Sequence, residues 1–523
     1  MHAMRGGPFT NDESLGEIKD MERMKRFVLA ASALTLMGMA GCSRGEGNAV
    51  AVDTQKEFTD PVPIIWYLCA NHEQPDIGSV EAAADAYLQE QYGLSVELNL
   101  KISDYAGYSD KMQMVIASEK PYDICFTSSW NNNFNGNAAR GAYYPLDQLL
   151  KDYGKDVWAS MPEKFWEAGK FQGTVYGVPS QQVFFKRNYV TVVAEYAREY
   201  GLDTDKIKGL EDLKDFFYQV KADHPQIYPL ALSENGINGK NLLSMGFENI
   251  TGEYLPGVIR IADQSATIVN QYETPEMEEL YQMIYQFRLD GIIKPDAALT
   301  TNNGVAGMKD GTHIASVNAT LKPGSESTEK ENFGGREVLL IPISEPWITT
   351  ESLTSGMNAV SSNSKYPELA MQILNLVNTD EKLYNLLCFG IEGKHYQKNG
   401  DGTIKSIEGA GYDPGSDWAF GNQFLAWKRE GQAPDIWEKT IEENKSARTS
   451  PAMGFVFDPM PVQKQIAGVN TILDKYRIPL ETGLKDPKEA LTQFREELKK
   501  AGSDEIIAEA ERQLRLYCGI NSK

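Results

Sequence analysis

Residues 61–69, PVPIIWYLC, and the segment that follows them decide the fold of this chain. These nine residues form a short continuous apolar run, which is typical of a β-strand buried on both faces. Apolar residues then recur at helical spacing from Val80 to Leu88, and Gly93 is placed to end that helix. Residues 94–102 alternate between apolar and polar, which predicts a second strand.

The same order of elements continues along the chain. A helix over 110–118 and a strand over 122–126 complete a β-α-β-α-β unit. Such a unit forms a parallel sheet whose ligand crevice lies beyond the carboxyl ends of its strands. Because no repeat of 20 to 50 residues occurs, solenoids and propellers are excluded. The sequence therefore predicts an α/β protein.

Composition limits the function. The chain has 523 residues, enough for two or three folded units. It carries 51 basic and 73 acidic residues, a net charge of −22, which disfavours nucleic-acid binding. With five Cys, five His and no C-x-x-C or H-E-x-x-H motif, we expect no metal site and no cofactor.

The N-terminal region predicts export. Lys25 and Arg26 precede a mainly apolar run over 27–39, and small residues follow it up to Cys42. This order is that of a secretory signal, and the apolar run is too short to be a comfortable membrane span. Residues 1–41 are therefore interpreted as a leader and signal peptide.

Met39-Ala40-Gly41-Cys42 resembles the lipobox of bacterial lipoproteins, although Met replaces the usual Leu. The resemblance implies cleavage before Cys42 and diacylation of its thiol, and two or three acyl chains anchor a protein durably. The alternative is an ordinary cleaved signal with an incidental Cys. Residues 42–60 are small and polar, which predicts a flexible tether that holds the body at the outer face of the cell membrane.

Motifs along the body support a family resemblance. Residues 123–130 (DICFTSSW), 141–147 (GAYYPLD), 176–179 (YGVP), 365–370 (KYPELA) and 390–396 (GIEGKHY) resemble landmarks of extracellular solute-binding lipoproteins of ABC importers, in the carbohydrate-type family. Residues 454–458 (GFVFD), with Pro461-Val462 and two closing helices, resemble the LipO-like branch and its C-terminal domain of unknown function. The likeness runs from about Pro61 to Cys518.

The resemblance implies a two-lobed, periplasmic-binding-protein-like clamp in which a mainly parallel sheet flanked by helices forms each lobe. We expect lobe one over 61–179 and 301–342, with residues 311–317 returning a strand to it. Lobe two then comprises 180–300 and 343–450, and a helical segment over 451–523 associates with lobe two. The expected crossings are 178–182, 294–300 and 343–352, and short crossings of this kind act as hinges.

Such a clamp suits sugars, which present apolar ring faces edged by hydroxyls and therefore need aromatic platforms and planar polar groups. The candidate ligand-binding residues have this chemistry and lie at expected strand ends, crossings or loops. They are Trp66, Tyr67, Asp104, Trp130, Asn131, Asn132, Gln181, Gln182, Trp347, Glu392 and Trp418. Each has the alternative of simple packing or loop structure, and 131–133 can instead cap the next helix.

The predicted function is a monomeric, non-catalytic receptor that captures an oligosaccharide and presents it to the permease subunits of an ABC transporter. One alternative is a secreted glycan-processing enzyme that uses Glu392 or Asp104, and another is the same receptor with a peptide cargo. Two details stay open: Cys69 and Cys125 are either free thiols or a bridge, and 397–408 is either an EF-hand imitation or, as we expect, a hairpin turn.

Overall fold

The computed structural model describes residues 60–70, 73–237, 241–265 and 267–519. The predicted signal peptide, the lipidation site Cys42 and the tether up to residue 59 lie outside these ranges. Of the helices within them, none is long and apolar enough to cross a membrane.

Strands and helices alternate through most of the described chain. The strands are β1 (Val62–Ala70), β2 (Val96–Asp104), β3 (Ile124–Thr127), β4 (Lys170–Phe171), β5 (Thr174–Val175), β6 (Gly177–Pro179), β7 (Tyr189–Val193), β8 (Leu230–Ala231), β9 (Phe247–Asn249), β10 (Val258–Arg260), β11 (Ile268–Val269), β12 (Ala315–Asn318), β13 (Val338–Pro342), β14 (Trp347–Ile348), β15 (Met357–Val360), β16 (Tyr396–Lys398), β17 (Ile404–Ser406) and β18 (Arg448–Thr449).

The α-helices are α1 (Ile77–Tyr92), α2 (Tyr105–Ala117), α3 (Phe134–Ala139), α4 (Asp147–Tyr153), α5 (Lys155–Ala159), α6 (Ala194–Glu199), α7 (Lys214–Asp223), α8 (Pro275–Leu289), α9 (Val305–Asp310), α10 (Ser325–Asn332), α11 (Thr350–Leu353), α12 (Pro367–Thr379), α13 (Glu381–Phe389), α14 (Asp417–Phe420), α15 (Ile436–Ser446), α16 (Gln463–Glu481), α17 (Pro487–Ala501) and α18 (Ser503–Tyr517).

The first sheet has the order β2-β1-β3-β15-β6. β1 pairs in parallel with both β2 and β3, so the predicted β-α-β-α-β unit is confirmed. β15 lies between β3 and β6 and pairs antiparallel with both, so that β6 forms the second edge of the sheet. The carboxyl ends of β1, β2 and β3 therefore lie along one edge, where a crevice is expected.

Local sequence explains these elements. In β1, Ile64, Trp66 and Leu68 are fully buried, whereas the alternate residues 63, 65 and 67 are exposed or half-buried. The first part of the strand is therefore less evenly covered than its apolar run predicts. Gly93 adopts a left-handed conformation and ends α1 as expected. The side chain of Asp104 caps α2 by accepting a hydrogen bond from the backbone N–H of Gly107 at 2.9 Å.

The second sheet has the order β13-β7-β12-β8. β7 pairs antiparallel with β12 and β13, and β12 pairs in parallel with β8. A small antiparallel sheet of β9, β10 and β11 lies between β8 and α8 along the chain. The second sheet is thus mixed, which differs from the mainly parallel sheet that we expected in this lobe.

Two hydrophobic clusters define the lobes. Lobe one contains the core residues of 62–185 and 348–447, and lobe two contains those of 190–343 and 452–514. The expected assignment of 301–342 to lobe one and of most of 343–450 to lobe two is therefore wrong. Strand β12 of the 311–317 segment pairs with β7 and β8, whereas the strand that returns to lobe one is β15.

The three C-terminal helices pack onto lobe two. Phe494 of α17 lies edge-on to Tyr272 with ring centroids 5.0 Å apart, and its ring stacks on Tyr476 of α16 at 5.1 Å. Arg495 adds a hydrogen bond to the carbonyl of Tyr272 and an ion pair of 3.0 Å with Glu278. These contacts make the segment a structural part of lobe two.

The environment of Trp66 gives a first prediction. Its ring is 0% exposed, and its indole N–H donates a hydrogen bond to Oδ1 of Asn358 at 3.0 Å. Trp66→Phe removes the donor and leaves a buried acceptor unpaired, which costs about 1–3 kcal/mol. We expect a lower midpoint in urea unfolding and an unchanged ligand affinity; a variant of normal stability with weakened ligand binding contradicts this role.

Candidate functional site

Three segments connect the lobes, at residues 186–189, 344–347 and 448–451. They lie side by side: the backbones of Lys186 and Trp347 exchange hydrogen bonds of 2.8 and 2.9 Å, and β14 pairs in parallel with β18. The expected crossing over 343–352 contains one of them. The other two expectations are wrong, because 178–182 ends in lobe one and Ala297 is buried in the core of lobe two.

Side chains reinforce this connection. The guanidinium of Arg448 lies 4.2 Å from the ring centroid of Trp347, which is 4% exposed. Lys186 forms an ion pair of 2.6 Å with Glu351, and its charge lowers the pKa of Glu351. Trp347, a candidate ligand-binding residue, is thus covered by the connecting segments themselves, and the sugar-platform role is corrected to a structural one.

A cluster of four aromatic rings lies at the crevice edge of lobe one. Tyr105 follows β2, Trp130 follows β3, and Trp418 lies on α14. Tyr105 and Trp418 are stacked with centroids 6.1 Å apart and planes inclined by 10°, and Trp130 lies 6.1 and 6.0 Å from them. The edge of Phe126 closes the cluster at 5.6 Å from Trp418. We call these four residues the aromatic cluster.

Three rings of the cluster are partly exposed, whereas Phe126 is fully buried beneath them. Trp130 is 52% exposed, although its indole N–H donates a hydrogen bond of 2.8 Å to the carbonyl of Ser355. The side chain of Asn131 donates to the carbonyl of Tyr105 at 3.0 Å and accepts from the hydroxyl of Ser109 at 2.6 Å. The rings are therefore fixed before any ligand arrives, which limits the entropy lost on binding.

A glycine leaves room beside the cluster for a polar group. A Cβ at position 356 would lie 3.0 Å from Nε2 of Gln182 and 3.5 Å from the ring of Trp418. Gln182 is 8% exposed, and its Nε2 has no hydrogen-bond partner among the described residues. A buried donor without a partner is costly, so this amide is suited to a ligand acceptor.

Lobe two faces the cluster across the cleft through the loop between β12 and α10. Lys322 of this loop is solvent-exposed. The surrounding protein lowers the pKa of its ammonium by desolvation, and the charge of Asp417 in lobe one partly opposes this effect. At the rim, a Cβ at Gly324 would lie 2.7 Å from Cδ1 of Ile436, so the lobes already touch there. Asp417 also accepts a hydrogen bond of 2.9 Å from Nε2 of Gln423.

The structure brings together Trp130, Trp418 and Gln182 of the candidate set. Four others are committed to the interior of lobe one: Trp66, Asn131, Asn132 and Gln181. Nδ2 of Asn132 donates to the carbonyl of Phe126 at 2.8 Å, and Nε2 of Gln181 donates to the hydroxyl of Ser160 at 2.7 Å. For these four residues the alternative of packing or loop structure is the one that the contacts support.

The remaining candidates also have structural partners. Tyr67 packs edge-on against Tyr122 at 5.7 Å, and Asp104 is the cap of α2. Glu392 is exposed beside the hairpin of β16 and β17, where it pairs with Lys398 at 3.3 Å. Asp104 and Glu392 therefore lack the shared, enclosed position that paired catalytic carboxylates need.

Sequence reasoning missed Tyr105, Phe126, Asp417 and Lys322. Tyr105 and Phe126 lie at or next to predicted strand ends. A search for aromatic residues at those ends could therefore have found them. Asp417 is next to a named candidate. Lys322 had no local signal, since only the folding of lobe two brings its loop opposite α14.

The described ranges contain neither a metal-binding cluster nor a bridge between Cys69 and Cys125. No group of three or more His, Cys, Asp or Glu side chains there is arranged to hold a metal ion. Cys69 and Cys125 are buried free thiols rather than a bridge. Residues 397–408 form the expected hairpin, in which Asp401 accepts hydrogen bonds from the backbone and the hydroxyl of Thr403.

Comparison with known proteins shows what this chain is similar to. Residues 451–518 match a family described as a domain of unknown function (DUF3502). A carbohydrate ABC transporter substrate-binding protein of Streptococcus pneumoniae serotype 4 (strain ATCC BAA-334 / TIGR4) is 25% identical over 505 residues, covering 94% of this chain and 98% of its own. Lipoprotein LipO of Bacillus subtilis (strain 168) is 20% identical, covering 72% and 75% respectively.

Solved structures show the same fold. The N-glycan transport solute binding protein (NgtS) from Streptococcus pneumoniae superimposes with a TM-score of 0.76 at 24% identity, over 87% of this chain and 99% of that chain. Structures of that protein in complex with Man1GlcNAc and Man5GlcNAc give TM-scores of 0.68 and 0.65, at 23% and 24% identity. They cover 87% and 88% of this chain, and 99% and 100% of their own.

These comparisons confirm the resemblance to solute-binding proteins of carbohydrate ABC importers, including the LipO-like branch, and the two-lobed α/β fold. These relatives are named as substrate- or solute-binding proteins, in agreement with the prediction of a non-catalytic receptor.

Glu248 beside the connecting segments gives a pH prediction. Its buried carboxylate accepts a hydrogen bond from the hydroxyl of Ser450 and lines a cavity of about 60 Å³ with Lys186 and Glu351. Burial raises its pKa from 4.5 to about 7, the charge of Glu351 adds to the rise, and Ser450 and Lys186 oppose it.

Because the folded pKa is above the unfolded one, the folded state binds the extra proton between these values, and stability falls as pH rises through about 7. The full loss is about 3 kcal/mol. Glu248→Gln should remove it, so we expect wild type and variant to differ little at pH 4.5 and the variant to unfold at higher temperature at pH 8. Equal thermal midpoints at pH 8 contradict the prediction.

Proposed function

We propose that this chain is a lipid-anchored extracellular receptor that captures an oligosaccharide between its lobes and delivers it to the permease of an ABC importer. The aromatic cluster is the single observation that carries this proposal. Fixed, partly exposed rings bind the apolar faces of sugar rings, and peptides or simple ions have less need of several such surfaces together.

The polar groups around the cluster supply the other half of sugar recognition. Gln182 offers an amide donor, Asp417 a carboxylate acceptor, and Lys322 a donor from the opposite lobe. Hydroxyls both donate and accept, so they satisfy all three groups at once. The glycan complexes of the pneumococcal relative support this choice of ligand class.

The same arrangement would favour closure of the two lobes around the ligand. A ligand on the aromatic cluster that also accepts a hydrogen bond from Lys322 binds both lobes, and it therefore favours the conformation in which they approach. Exclusion of water from the cleft strengthens each of these hydrogen bonds. The permease would then distinguish loaded from empty receptor by the distance between the lobes.

The cluster gives a direct test of this proposal. Trp418→Ala removes the ring that stacks on Tyr105 and packs against Phe126, and we expect glycan affinity to fall by about thirtyfold, or about 2 kcal/mol. Isothermal titration against mannose-containing and other neutral oligosaccharides measures the loss, and small-angle scattering measures compaction of the wild type on binding.

Trp158→Ala is the matched control. Trp158 is 37% exposed in α5 of lobe one and stacks on Trp166 at 4.6 Å, away from the cluster. We expect this variant to lose some stability but no glycan affinity. If wild type binds peptides from a parallel panel and no glycan, the oligosaccharide proposal is wrong.

Lipid anchoring is tested separately, since Cys42 lies outside the described residues. In a bacterial host grown with labelled palmitate, we expect the wild type in the membrane fraction with the label attached. Cys42→Ala should lose the label and move to the soluble fraction, whereas Cys518→Ala should behave as wild type. Labelling that survives in the Cys42→Ala variant places the anchor elsewhere.

A further inference from the structure

Lobe two contains a cavity of about 200 Å³ at the carboxyl ends of β8 and β12. Its polar lining comes from Ser233, Asn303, Ser316, Asn318, Glu329 and Asn332. Apolar side chains, among them Ile237 and Met308, cover the rest of its wall. A water molecule occupies about 30 Å³ in the liquid, so the cavity is several waters in size and is polar enough to be filled.

The polar groups of the cavity are positioned by a chain of hydrogen bonds. The carboxylate of Glu329, which is 6% exposed, accepts from the hydroxyls of Tyr189 and Thr191, both at 3.1 Å. Nδ2 of Asn318 donates to the hydroxyls of Thr191 at 3.0 Å and Ser316 at 3.1 Å. These groups are oriented in advance, as a binding site requires.

One amide side chain of the lining forms no hydrogen bond with the rest of the described protein. Asn332, at the end of α10, is half-buried, and its side chain makes no hydrogen bond to another residue that the structure describes. An amide presents both donors and an acceptor. It is therefore available to a ligand in the cavity.

The lining indicates the chemistry of that ligand. Among the described lining residues, Glu329 is the one with an acidic side chain. A buried carboxylate repels anions and accepts hydrogen bonds from hydroxyl groups. The combination of amides, hydroxyls and apolar wall suits a neutral, hydroxyl-rich ring. Uronic acids and sulfated sugars are disfavoured by the same carboxylate.

The elements at both ends of the loop between β12 and α10 line the cavity, and the middle of the loop, at Lys322, lies toward Asp417 beside the aromatic cluster. From Asn318 the chain follows a connecting segment, where the N–H of Leu321 donates to the carbonyl of Arg187 at 2.8 Å, and it then reaches Lys322 in the cleft. After Gly324, which touches lobe one at Ile436, α10 begins and carries Glu329 and Asn332 to the cavity wall. A chain-like ligand on the cluster can thus continue past Lys322 into lobe two.

We propose that this cavity is a second subsite, which takes one neutral sugar unit of a glycan whose neighbouring unit lies on the aromatic cluster. The inference rests on the proposed function and adds to it the length and charge of the ligand. A glycan that fills both subsites has at least two sugar units. It contacts α10, the helix whose start already contacts lobe one.

The experiment compares ligand lengths. Isothermal titration of the purified chain with methyl mannoside, Man1GlcNAc and Man5GlcNAc should show rising affinity for the longer glycans. Ser316→Leu fills the cavity, and Asn332→Ala removes its free amide; each should lower affinity for the longer glycans by about tenfold while leaving methyl mannoside unchanged. Ser327→Leu, on the exposed side of α10, is the matched control and should bind all three ligands as wild type does.

The outcomes separate the two proposals. If wild type binds no glycan at all, the proposed function fails. If wild type binds glycans but Asn332→Ala, with an unchanged thermal midpoint, binds the longer ones equally well, only the second subsite is wrong. Should Ser316→Leu fail to fold, the Asn332→Ala result alone decides between these outcomes.

Discussion

The backbone pairing of the three connecting segments is the constraint on which the rest of the structure depends. Lys186, Trp347 and Arg448 bring their strands together by main-chain hydrogen bonds, and the guanidinium of Arg448 covers the indole of Trp347. Three paired strands resist sliding and splaying more than a single linker does, so the lobes keep a common axis. Motion about that axis changes the distance between the aromatic cluster and the loop at Lys322, and it disturbs neither core.

In the proposed binding site, the two faces of the cleft contribute different chemical groups. Lobe one supplies apolar ring surfaces together with one buried amide, whereas lobe two supplies an ammonium and a polar cavity. A glycine at position 356 keeps space beside Trp418, and the carbonyl of Ser355 holds Trp130 in place. The ring of Trp130 in lobe one is fixed by a hydrogen bond to the main chain, whereas lobe two presents Lys322 on a loop. In the proposed function, a ligand that contacts both lobes couples binding to their closure.

Sequence reasoning was reliable where a signal is local. The apolar run of β1, the left-handed Gly93 and the alternation of β2 led directly to the parallel unit, because each depends on neighbours a few residues away. It was wrong about which lobe receives 301–342 and 343–450. Strand β12 and strand β15 look alike as short apolar runs, and their choice of sheet depends on partners more than a hundred residues distant.

The candidate site, too, was predictable where the signal is local and unpredictable where it depends on distant contacts. Residue type at strand ends pointed to Trp130, Trp418 and Gln182, but the same criterion selected Trp66 and Gln181, which the core of lobe one absorbs. The sequence by itself determined the α/β class and the parallel unit of lobe one, since these follow from periodicity, and its ordered motifs established the resemblance to solute-binding proteins. Only the tertiary structure decided the membership of the lobes, the course of the connecting segments and the placement of Lys322 within electrostatic range of Asp417, because contacts between distant segments depend on packing that no local pattern records.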